Sequence, residues 1–187
     1  MHLSQALPIA QSIREHLAPA CYRIEIAGSI RRRCAQVGDI ELVAIPRYEQ
    51  KGEPVKDMFG NVIAPIPRIN MLVEALRTMS RTRWIKTGTK EIIDWPLKPD
   101  GKYYRGLLPS GIKLDLFCAT PENWGYIFAI RTGSAEFSQK LAGKWVAAGY
   151  KGQDGMLTRN GKPFPVKEEQ DLFNMLHVSY VEPEFRK

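Results

Sequence analysis

The chain has 187 residues, 44% apolar and 25% charged, a globular composition that excludes disordered and fibrous classes. No apolar run approaches the ~20 residues of a membrane helix, and the first residues lack the basic and apolar segments of a secretory signal, so no membrane partner and a cytoplasmic location are expected. Lys and Arg number 27 against 20 Asp and Glu, a net charge of +7 that favours anionic partners, while three widely spaced cysteines and three scattered histidines argue against a disulfide framework or a zinc site.

Apolar Leu3, Leu7, Ile13 and Leu17 predict a helix over 3–18, ended by Pro19. Residues 22–27 alternate as a strand and run into Gly28-Ser29; a short helical stretch over 30–34 and a strand over 38–45 follow. Gly, Pro and charge predict a loop over 47–67. A helix over 68–79 comes next, then short strands near 82–87, 90–94 and 103–107 and a strand over 112–118. Pro121 opens a helix to about 130. Thr132-Gly133-Ser134 is a break, and Ser134 caps a helix reaching 148, with Gly149 at its end. The last 38 residues read as a small mixed lobe with strands around Tyr150 and Met156, an Asn160-Gly161 turn, a helix over 168–176 and an extended tail.

The segment 28–43, GSIRRRCAQVGDIELV, carries the chemistry. Asp39 and Glu41 are two apart on a strand, so both point to one face, with Ile40 and Leu42 on the other. Alone, such a pair also suits a solvated sheet face. Asp115, between Leu114 and Leu116 on a second apolar strand, completes a convergent trio if the two strands pair. Three clustered carboxylates repel one another, and two magnesium ions are the fitting counter-charge; manganese can substitute. Gly28 and Ser29 at a strand-to-helix junction offer backbone N–H groups and a hydroxyl to phosphate. Of Arg31, Arg32 and Arg33, one suffices as a phosphate clamp; the triplet also suits an exposed basic face. Trp84 and Trp95, among Arg81, Arg83, Lys86 and Lys90, either stack bases or fill core, whereas Trp124 and Trp145 are expected in the core.

With these residues in view, Gly28-Ser29, the arginine run and Gly38-Asp39-Ile40-Glu41 resemble the nucleotidyltransferase signature of the DNA polymerase beta family, family X. Lys113-Leu114-Asp115-Leu116-Phe117 resembles the strand of that family's third carboxylate, and Arg131-Thr132-Gly133-Ser134 its Thr-Gly-Ser turn. Gly149, Gly155, Pro165-Val166, Asp171-Leu172-Phe173 and Tyr180 through Arg186 resemble its C-terminal subdomain, so the matches run in order over about residues 20–187.

The resemblance implies an α+β fold: a nucleotidyltransferase palm over 1–120, then a small nucleotide-selecting, thumb-like lobe over 121–187. It implies that Asp39, Glu41 and Asp115 are catalytic and hold two metal ions, and that Gly28, Ser29, Arg32, Gly38, Arg131, Gly133 and Ser138 bind the nucleotide. Arg131 equally suits a helix-end cation. The partners implied are a nucleoside triphosphate and a nucleic acid, a DNA primer-template or gap, with the protein a monomer. The residues ahead of the match are too few for the family's lyase and helix-hairpin-helix domains, which implies a minimal form without deoxyribose-phosphate lyase activity. Glu41 stands where the family's polymerases usually carry Asp, Ile130-Arg131 replaces the pair that screens the sugar, and Ser138 and Ala142 replace a base-reading Asn and a template-contacting Arg. The expected activity is therefore metal-dependent nucleotidyl transfer to a 3′-hydroxyl in DNA repair or gap filling, with untemplated transfer to RNA, protein or a small molecule as the alternative.

Overall fold

A computed structural model describes residues 1–81, 86–87 and 97–187. Helix α1 (Leu3–Leu17) is capped by His2, whose Nδ1 accepts from the Ser4 N–H, and it buries Ala6, Ala10, Ile13 and Leu17. The expected stripe through Leu3 and Leu7 is thus rotated: those two pack half-buried at the rim, and the small alanines let the helix sit close to the sheet. After a 3₁₀ turn at Ala18–Ala20 come β1 (Cys21–Ile26) and α2 (Gly28–Arg31), which begins two residues ahead of the expected helix. Strand β2 (Asp39–Pro46) follows.

The expected loop over 47–67 is instead a pair of two-stranded ribbons. Strand β3 (Tyr48–Gln50) pairs with β6 (Arg68–Asn70), and β4 (Val55–Lys56) pairs with β5 (Val62–Ala64). Asp57 closes the outer ribbon, its carboxylate accepting from the N–H groups of Phe59 and Asn61. Local side-chain hydrogen bonding of this kind suits a tight turn, and the many Gly and Pro residues around it hide the pairing from a periodicity reading. Helix α3 (Met71–Arg81) starts later than expected because residues 68–70 belong to β6; Asn70 Oδ1 accepts from Leu72 N and Val73 N at 3.1 and 3.3 Å. Strand β7 (Lys86–Thr87) lies inside the expected 82–87 span, whereas the 90–94 strand, Trp84 and Trp95 fall outside the described residues.

Strands β8 (Tyr103–Leu107) and β9 (Lys113–Cys118) complete the main sheet, in order β1-β2-β9-β8-β7. Among the described residues only β2 and β9 run parallel within it. One face, with Ile24, Ile40, Leu42, Ala44, Tyr104, Leu114 and Leu116, packs on α1 and α3. The other carries Val43, Ile45 and Phe117 against Trp124 and Phe128 of α4 (Trp124–Thr132). That helix begins three residues after Pro121, since Asn123 Oδ1 is engaged by Thr120 N at 2.6 Å and holds 120–123 in a turn.

Ser134 caps α5 (Ala135–Ala147), its Oγ accepting from Phe137 N at 3.0 Å. A three-stranded meander of β10 (Tyr150–Gln153), β11 (Met156–Arg159) and β12 (Lys162–Phe164) follows, then α6 (Glu169–Met175). Asn160 and Gly161, both at positive φ, form the β11–β12 turn, a backbone state that Asn and Gly tolerate best. A third core joins Ala129, Leu141, Trp145, Tyr150, Leu157, Val166 and Leu172. The expected extended tail ends in a 3₁₀ turn at Pro183–Phe185. The architecture is α+β.

Candidate active site

The parallel pairing of β2 with β9 sets Glu41 directly beside Asp115 and Asp39 beside Lys113. Alternation then gives Asp39, Glu41 and Asp115 the same sheet face, the one that continues into Val43 and Phe117. This face opens on a cleft of about 950 Å³ lined by Glu41, Asp115, Tyr103, Arg105, Phe117 and Arg131, among others.

Burial pushes the Glu41 carboxyl up from 4.5 to about 7, and the neighbouring charges of Asp39 and Asp115 add to the effect; Arg131 and Arg32 pull it back. Gly28 makes this packing feasible. It sits at φ +60°, and a Cβ there would lie 1.9 Å from Glu41 Oε2, so only glycine lets the β1–α2 backbone lie against the carboxylate.

Asp115 is 4% exposed, and two strand-β8 side chains hold it. Arg105, its register partner, donates from Nε to Oδ1 at 2.6 Å and from Nη2 to Oδ2 at 2.7 Å. The Tyr103 hydroxyl adds a bond to Oδ1 at 2.8 Å. These bonds to the carboxylate also raise the Arg105 pKa above its ordinary value. Sequence reasoning missed both residues. The signal lay in the Tyr-Tyr-Arg run of β8, whose alternation gives Tyr103 and Arg105 one face, but only the register reveals that this is the carboxylate face.

The donor set fits a hard divalent cation. All three groups are carboxylates, and a cation between Glu41 and Asp115 would relieve the burial and repulsion that lift the Glu41 pKa. The residues are not gathered as a finished cage: among the described residues no group of three or more His, Cys, Asp or Glu side chains stands ready to share one ion.

The expected nucleotide-binding residues surround this centre unevenly. Ser29 Oγ is buried without a hydrogen-bond partner at the start of α2, one residue after Gly28. Arg32 donates to the Thr132 carbonyl at 2.7 Å and also acts on Glu41. Arg31 forks onto Glu169 at 2.8 and 2.6 Å, and Arg33 pairs with Glu184, so the whole triplet faces the C-terminal segment. Arg131, in the last turn of α4, stacks 3.9 Å above the Phe117 ring. Ser138 donates to the Ile130 carbonyl at 3.1 Å, and Gly133 lies where a Cβ would meet Phe137 and Ser138 at 2.7 Å. Gly38 is open, with nothing near its missing Cβ. Gly28, Arg32 and Arg131 thus gather around Glu41, while Ser138 and Gly133 belong to the α4–α5 junction.

Glu169 anchors that junction. Burial alone would raise its pKa, yet bonds from Arg31 and from Arg186, the latter at 2.5 Å, bring it below the ordinary value. Arg186 is fully buried and its carbonyl accepts from Ser134 N at 3.0 Å, so the chain end is tied to α6 and to the start of α5.

Residues 128–187, the segment holding this junction, match the family model of the DNA polymerase beta thumb. That match supports a relationship to the DNA polymerase beta-like, family X, proteins. The thumb match ties the chain to DNA polymerases and to DNA as a partner, and leaves the carboxylate sheet outside the matched residues. No curated protein matches the chain. Among the described residues no helix is long and apolar enough to cross a membrane.

Proposed function

We propose that the protein catalyses metal-dependent nucleotidyl transfer from a deoxynucleoside triphosphate to the 3′-hydroxyl of a DNA strand, of the gap-filling repair type. The observation that carries this reading is the adjacency of Glu41 and Asp115 across β2 and β9, on a face that opens into the cleft ahead of the thumb. Residues 1–120 form the catalytic unit in this reading, and 121–187 the nucleotide-selecting unit. Asp39, Glu41 and Asp115 would hold two magnesium ions, which supply Lewis-acid activation of the hydroxyl and charge neutralisation on the departing pyrophosphate.

The residues do the rest. Asp115 lies beside the reacting hydroxyl and draws its proton. The 3′-oxygen bonds to the α-phosphorus, the α–β bridge breaks, and pyrophosphate leaves. Ser29 offers its orphaned hydroxyl to the triphosphate, and Arg32, a short swing from Thr132, adds a charged donor. Arg131, stacked on Phe117 beside Glu41, borders the sugar.

Primer extension with magnesium tests the reading, on a one-nucleotide gap, an open primer-template and a single strand, with deoxy- and then ribonucleotides. Insertion of only the complementary deoxynucleotide in the gap, abolished by Asp115→Ala, supports it. Undiminished transfer by Asp115→Ala refutes the site. A second reading, untemplated transfer to another acceptor, is favoured by Ser138, whose hydroxyl is spent on Ile130, and by Ala142, which packs against the C-terminal core. Indiscriminate addition would select it.

A further inference from the structure

Asp115 presents four lone-pair positions on its two oxygens, and three hydrogen bonds already fill most of them. Two of those bonds come from one guanidinium in the bidentate geometry that makes arginine–carboxylate pairs strong and planar. A divalent ion needs the same oxygens. The Asp115 side chain is 5% exposed, whereas that of Arg105 is 40% exposed on the wall of the cleft. The carboxylate is therefore fixed in place, and the arginine is the partner with room to leave. It also feels the negative charge of Asp39 and stands over the Tyr103 ring at 5.6 Å, so its surroundings are those of a cation site.

Resting on the catalytic reading above, we propose that Arg105 is a resident counter-cation that competes with the divalent ion for Asp115. Before metal arrives, the guanidinium pairs with Asp115 through two bonds and holds the carboxylate in its orientation. A divalent ion engages Asp115 only when Arg105 swings into the cleft. A guanidinium released there needs a new anion, and a phosphate of the acceptor strand is the one the reaction brings. Arg105 thereby couples metal loading at Asp115 to arrival of the acceptor, as a positioning residue that acts through Asp115. Metal alone binds weakly, and strand and metal together bind cooperatively.

The test uses manganese as the probe, with binding to the full chain followed by electron paramagnetic resonance, without nucleotide or DNA. Arg105→Gln is expected to bind manganese about tenfold more tightly than the parent, a typical coupling between competing sites. Arg105→Lys, which keeps the charge and loses the fork, falls between them, and Asp115→Asn loses the tight site. A single-stranded oligonucleotide should tighten manganese binding by the parent and leave Arg105→Gln unchanged. Since Arg105→Gln leaves Asp115 unpaired and can unfold, a second measurement uses the parent alone: the Arg105 Nε–H resonance shifts as magnesium is added. Equal manganese affinity in parent and Arg105→Gln, or an Nε–H resonance that stays put at saturating magnesium, overturns the proposal. If Asp115→Asn weakens manganese binding in that case, the carboxylate site stands without the Arg105 device. If Asp115→Asn binds manganese as the parent does, both readings fall.

Discussion

Replacing Glu41 with Gln should stabilise the metal-free protein, and only above a defined pH. The native carboxyl titrates near 7 against 4.5 for the ordinary group, because burial and the charges of Asp39 and Asp115 disfavour its ionised form. Its folded pKa is raised, so between these two values the native state holds a proton that the unfolded chain has released. Stability then falls with rising pH, by about 1.4 kcal/mol per unit for one proton. Over the interval from 4.5 to about 7 the loss reaches about 3 kcal/mol, and above it the loss is constant. Glutamine cannot ionise and escapes the penalty. Urea denaturation of parent and Glu41→Gln in chelator, at half-unit steps from pH 4.5 to 8, isolates the effect, since titrations not coupled to Glu41 cancel in the difference. The two proteins should agree near pH 4.5 and diverge to about 3 kcal/mol at pH 8. Parallel curves would refute the account of a buried, mutually repelling carboxylate pair.

Three further outcomes follow from the packing. Glu169→Gln should cost about 3–5 kcal/mol at pH 7, because it strands the guanidinium of fully buried Arg186 and one of Arg31. Its folded pKa is depressed, so the gap from the parent in urea melts should close as acid protonates the parent's Glu169. Gly28→Ala should cost about 1–3 kcal/mol in thermal melts, from strain at φ +60° and the overlap with Glu41; if Ala is tolerated freely, the close approach is not real. Ser134→Ala should lose about 1 kcal/mol by removing the cap on Phe137 N, without altering the parent's response to magnesium.

Strands β2 and β9 were legible as apolar strands, because each has one face on α1 and α3 and the other on α4 or the cleft. The carboxylate trio was legible for the same reason: Asp39 and Glu41 share a face by spacing, and Asp115 sits in a like strand. What held Asp115 was not legible. Arg105 precedes it by ten residues, and only the antiparallel register of β8 and β9 makes the two neighbours. One arginine of the triplet suffices for the expected phosphate clamp, and the partners of the other two were not legible: Arg31 and Arg33 bind residues 169 and 184, far beyond any periodicity window. Composition likewise misread 47–67, where Gly and Pro mark the turns of ribbons as readily as an open loop.

The parallel bond between β2 and β9 has a consequence for how this chain can vary. Two strands that run side by side in the same direction must be joined by a crossover, and here residues 47–112 make that journey. Their length does not enter the register of Glu41 on Asp115. Loop closure grows only slowly more costly with added residues. The outer ribbon, with Met58 and Phe59 exposed at its tip, is therefore a place where insertions, deletions or a grafted recognition element can be accepted while the spacing of the two carboxylates stays untouched.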